Sequence, residues 1–88
     1  MTDEIKETPK TREEILLTNL EARVQEIMHY QINIDNYTLA LEEMGNMPPL
    51  ERNELANFAD QIRGLLASEI MEQKKAKLMF TVLKKQVG

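Results

Sequence analysis

Between Leu16 and Met44 an apolar side chain returns at alternating intervals of four and three residues, with no proline or glycine to break the run. Leu20, Ile27, Ile34 and Leu41 fill one core position of this heptad. Leu16, Tyr30, Tyr37 and Met44 fill the other, and Arg23 is the single exception. Such spacing keeps one face of an α-helix apolar over roughly four heptads and demands a partner helix. No strand tolerates it, because side chains of a strand alternate with a period of two. A second stripe, Leu17, Val24, Met28, Ile32 and Leu39, lies off that seam, so one neighbouring helix leaves part of the surface uncovered.

The helix has readable ends. Thr8-Pro9 offers an N-cap followed by proline at the first helical position, and Thr11-Arg12-Glu13-Glu14 offers a capping box; either places the start between 8 and 12. Gly45-Asn46-Met47-Pro48-Pro49 punctuates the chain, with Gly45 suited to a left-handed position closing the first helix. A proline pair ends one helix and can begin another. The expected organisation is a flexible tail over 1–8, then a helical unit over 9–88. Within it come a helix of about 9–44, a turn at 45–48 and a helix of about 49–86.

The second helix carries Leu55, Phe58, Ala59, Ile62, Leu65, Leu66 and Ile70 on a broad apolar face, with Gly64 inside it. The pattern blurs over 69–77, where a kink or a third short helix is compatible with the residues, and returns at Leu78, Met79, Phe80, Val82, Leu83 and Val87. Two helices of matched length joined by a short connection favour antiparallel neighbours. Charge agrees with that orientation. Residues 1–46 hold four bases against ten acids, net −6, and residues 47–88 hold seven bases against five acids, net +2. Folding back sets Glu13, Glu14 and Glu21 beside Lys74, Lys77, Lys84 and Lys85. Each exposed pair contributes under about 1 kcal/mol, so charge selects orientation and burial must hold the fold.

The fold class that follows is all-α: an antiparallel, coiled-coil-like hairpin of two long helices, assembling into a four-helix bundle or a larger oligomer. A chain of 88 residues makes a marginal core without a staple, and with no cysteine the disulfide staple is absent. Association is the remedy left, with a two-fold dimer the simplest form. The residues expected on the intramolecular and dimer seam are Leu20, Ile27, Tyr30, Ile34, Tyr37, Leu41, Leu55, Phe58, Ile62 and Leu66. Met79, Phe80, Val82 and Leu83 are expected to meet an external partner.

Chemistry finds little to work with. His29 is the only imidazole; Glu26 and Asn33 lie one turn either side of it, but no nucleophile accompanies them. Glu26-Ile27-Met28-His29 matches one Glu-x-x-His element of the carboxylate di-metal bundles, which need two such elements and two further glutamates. Ser68 is the only serine and stands outside a Gly-x-Ser-x-Gly elbow, and three scattered glycines form no phosphate loop. The expectation is therefore no catalytic, cofactor-binding or metal-binding residues. A net charge of −4 and pI near 5.0 weigh against phosphate-backbone binding. The cluster Lys74-Lys75-Ala76-Lys77 with Lys84-Lys85 is the one place where it is conceivable. No run of apolar residues approaches the ~20 that span a bilayer, and the start Met1-Thr2-Asp3-Glu4 is unlike a secretory signal. A cytoplasmic protein without membrane contact is expected.

In outline (short, acidic, one long heptad helix, a Pro-Pro turn, no active-site motif) the chain resembles the small helical accessory proteins encoded by many bacterial viruses. That resemblance implies a place in the host cytoplasm or the virion and assigns no role to individual residues. The function expected is non-enzymatic: a structural or assembly protein that binds itself, another protein, or both. The alternative is a small acidic regulatory protein that binds and inhibits or redirects one protein target.

Overall fold

The computed structural model describes residues 10–87. Three helices follow one another: α1 (Arg12–Gly45), α2 (Pro49–Glu54) and α3 (Ala56–Gln86). Helices α1 and α3 pack against each other along their length as an extended antiparallel hairpin, and no strand occurs among the described residues. The expected tail over 1–8 and the Thr8-Pro9 start lie outside the described residues.

Helix α1 opens on the capping box. Glu14 N–H donates to Thr11 Oγ1 at 3.2 Å, and Thr11 N–H donates to Glu14 Oε1 at 2.8 Å. Two orphan donors are thereby satisfied, with Glu13 and Glu14 at the favourable end of the helix dipole. The other end departs from the sequence expectation. Gly45 is the last helical residue and carries no left-handed backbone, and Asn46 caps the helix in the right-handed region at φ −89°, ψ −4°. Asn46 N–H reaches the carbonyls of Glu42 and Glu43 at 3.2 Å, and Met47 N–H reaches Met44 O at 3.3 Å. A tightened last turn thus serves the free carbonyls, and no left-handed residue is required.

The second long helix differs from expectation at one place. It bends at Leu55 (φ −99°, ψ 9°), which sets off the short helix α2. The bond from Leu55 N–H to Glu51 O (3.1 Å) closes α2, and the bond from Ala59 N–H to Leu55 O (2.8 Å) opens α3. Leu55 is thus the shared end residue at which one helical ladder stops and the next begins. Over 69–77, where the apolar pattern blurs, the helix runs on without interruption. The blur is a polar stretch of the same seam. Leu55, Ala59, Ile62, Leu66, Glu69, Gln73, Ala76, Phe80, Leu83 and Val87 keep the four-three spacing throughout, and each is buried or half-buried.

The molecule is thin. Its shortest principal extent is 15 Å, little more than the ~10–12 Å diameter of one helix, so the helices form a single layer. Among the described residues Leu16, Met44, Ile62 and Ala76 are the buried apolar residues, and no large side chain is fully enclosed. One seam of two helices can do no more. Fourteen large apolar side chains stay exposed, which places most of the greasy surface outside the hairpin's own contact.

Candidate interface

Writing each heptad abcdefg, α1 places Leu20, Ile27, Ile34 and Leu41 at a, and Leu16, Arg23, Tyr30, Tyr37 and Met44 at d. All nine are buried or half-buried. On α3, Ile62 is buried and Leu66 half-buried in the seam, with Leu55 half-buried just before the helix begins. Phe58 is a neighbour in sequence but sits at g, 49% exposed, outside the intramolecular contact. The C-terminal quartet divides. Phe80 and Leu83 occupy a and d and turn half-buried towards α1, whereas Met79 and Val82 remain exposed. Helical geometry compels this split, because four residues within five positions cannot share one face.

Midway along the seam the contact becomes polar. Gln73, 8% exposed, donates from Nε2 to Ile27 O at 3.2 Å and to Gln31 Oε1 at 2.9 Å. Gln31 in turn donates to Asp35 Oδ1 at 2.9 Å. One turn away, Asn33 Nδ2 donates to Glu69 Oε1 at 2.7 Å. Arg23, the exception in the apolar pattern, turns its guanidinium onto Glu26 at 3.0 Å; the Glu26 Oε1 it meets is shielded from solvent and has no well-aligned hydrogen bond. The Tyr30 phenol sits among these groups. Partial burial, then the carboxylates of Glu26, Glu72 and Glu69, raise its pKa above the ordinary 10.0, and Arg23 pulls the other way. A slipped pairing would separate Gln73 from Ile27 O and Asn33 from Glu69, so this belt sets the register of the two helices.

Of these seam residues, Glu69 and Gln73 carry no apolar signal in the sequence. The signal available was spacing alone: Glu69, Gln73 and Ala76 continue the four-three repeat although none is a large apolar residue.

The flanks of the hairpin carry the uncovered apolar surface, on opposite faces. Leu17 and Val24 at e, with Met28 at b, extend one flank of α1. Phe58, Leu65 and Met79 at g, with Val82 at c, extend the opposite flank from α3. In an antiparallel pair the e positions of both helices share one face and the g positions share the other. Arg12 Nη2 donating to Gln86 Oε1 at 3.0 Å, both at g, follows that rule at the open end.

The expected ion pairs between the start of α1 and the end of α3 do not form. Among the described residues the pairs are all within one helix: Arg23–Glu26, Asp60–Arg63 and Glu72–Lys75. Lys84 lies over the Phe80 ring at 5.7 Å, a cation–π contact at the edge of the seam. His29 is exposed at c, its ring tilted 60° to that of Tyr30, and Glu26 is engaged by Arg23. Among the described residues no three His, Asp or Glu side chains converge as metal ligands would, and no helix is long and apolar enough to cross a membrane. No protein-family model matches the chain, and neither the curated proteins nor the solved structures hold a match to it.

Proposed function

We propose that this chain is a non-enzymatic assembly protein, a helical hairpin that self-associates through its flanks and serves as a structural component of a larger complex. One observation carries the reading: large apolar side chains stand half exposed in rows on both flanks of a hairpin that has already used its only seam. Covering one half-exposed Leu or Phe returns about 1 kcal/mol. A row of four on each of two copies returns about 8 kcal/mol gross, before the cost of association. A weak, concentration-dependent dimer follows from one flank, and a second flank allows growth beyond it. A four-helix bundle of two hairpins is the simplest product. The polar belt at Gln73 supports the same reading, since buried polar positions in helical seams trade stability for a defined register.

A second reading, a small acidic protein that docks on and inhibits or redirects one protein target, draws support from the acidic turn region with Glu42, Glu43, Glu51 and Glu54 exposed. Light scattering after size exclusion, run over a concentration series, tests the first. The mass is expected to rise from 10.2 kDa towards twice that value or more. Ile34→Asp, which places a charge in the seam, is expected to lower both mass and helicity. A constant 10.2 kDa at every concentration would overturn self-association and leave the second reading standing.

A further inference from the structure

Folding redistributes charge along the long axis of the hairpin. The open half, residues 12–28 with 70–87, carries seven bases against five acids, net +2. The turn half, residues 29–69, carries Arg52 and Arg63 against seven acids, net −5. Two copies laid side by side in parallel set −5 beside −5; laid end over end, each acidic turn half meets a basic open half. Complementarity of this kind selects orientation among otherwise similar apolar contacts.

The exposed flank of α3 carries the same polarity at residue scale. At its g and c positions Leu65 and Val82 lie equally far from a point between Gln73 and Lys74, and so do Glu72 and Lys75. Leu65 is 48% exposed and Val82 40%. Glu72 and Lys75 are 3.0 Å apart on the surface of the same helix. Rotating a second α3 by 180° about that point sets Leu65 against Val82 of the other copy and Glu72 against Lys75 of the other copy, twice over by symmetry. Met79 then faces Ser68, and Phe58 lies beyond the end of the other helix, outside this contact. Parallel pairing sets Glu72 on Glu72 and Lys75 on Lys75.

We infer that the occupant of the α3 flank is a second copy of this chain, docked antiparallel about a two-fold axis passing between Gln73 and Lys74. The inference rests on the self-association proposed above and adds its face and orientation. Because the chain has no cysteine, single thiols place spin labels cleanly. Ala67→Cys and Asp60→Cys are exposed at b, on the side of α3 away from the proposed contact. In the full-length protein at a concentration where scattering reports oligomer, the antiparallel arrangement makes the two label distances differ. Along the helix axis the Asp60→Cys pair is further apart than the Ala67→Cys pair by about 21 Å, twice seven residues at ~1.5 Å rise, so its label distance is clearly the longer. Leu65→Asp, which lies outside the hairpin's own seam, is expected to abolish both distances with helicity retained. Equal distances for the two labels in an oligomer of confirmed mass would overturn the antiparallel dock and leave self-association intact. A monomeric mass with no measurable distance would overturn both, and distances that survive Leu65→Asp would overturn the assignment of the face.

Discussion

Replacing Gln73 probes whether the polar belt is part of the contact between the helices. Its Nε2 makes two bonds across the seam, at 3.2 Å to Ile27 O and 2.9 Å to Gln31 Oε1, from a side chain that is 8% exposed. A typical net contribution is about 1 kcal/mol per hydrogen bond. The partners left behind are not stranded: Ile27 O lies inside α1, where the helical ladder also uses it, and Gln31 is exposed and can turn to water. Gln73→Ala therefore costs about 2 kcal/mol for the two bonds plus the lost packing of a truncated side chain, about 3 kcal/mol in all. Gln73→Leu loses the same bonds but buries an apolar side chain returning about 2 kcal/mol, so it stays near wild type in stability. The two variants differ in stability, while both lose one of the two polar links that fix register and keep the other, Asn33 to Glu69. Urea unfolding followed by circular dichroism, at one fixed protein concentration because association adds to apparent stability, measures the first quantity. Spin-label distances between α1 and α3, sharp in wild type and broadened in Gln73→Leu, measure the second. If Gln73→Ala unfolds at the wild-type midpoint, the two bonds do not stabilise the seam, and if Gln73→Leu keeps sharp distances, Gln73 does not set the register.

Gly64 lies inside α3, and a Cβ built there meets nothing within 4 Å. Gly64→Ala should then stabilise by about 1 kcal/mol and raise Tm by about 4–8 °C; a lowered Tm would place a neighbouring molecule against that position. The raised Tyr30 pKa makes stability depend on alkaline pH. The unfolded phenol loses its proton first, near 10.0, so the stabilisation is full below that pH and is lost as pH climbs from there towards the folded pKa. In a Tyr37→Phe background, ultraviolet titration should find Tyr30 ionising above 10.0, and Glu26→Gln should bring the midpoint down by removing a neighbouring carboxylate. A midpoint indifferent to Glu26→Gln refutes the proximity of the two groups in solution.

Local rules settled a good deal of this protein from sequence. The Leu16–Met44 heptad, the Thr11–Glu14 capping box and the Pro48-Pro49 punctuation each depend on residues within one or two turns, so two long helices and a turn are legible without coordinates. The side of the seam on which a residue falls was less legible, because it depends on the phase of the heptad and not on hydrophobicity. Phe58 looks like a core residue and lies outside the seam, while Glu69 and Gln73 look like a gap in the pattern and lie inside it. Leu55 shows the same limit at the turn, where the bend is set by how α2 and α3 meet and carries no glycine or proline to announce it. Charge shows the difference most clearly. Along the chain the acids lead and the bases follow, an asymmetry between the first half and the second. Only when α3 returns alongside α1 does that order become a basic open half and an acidic turn half, because antiparallel packing adds the charges of residues far apart in sequence at the same height along the hairpin.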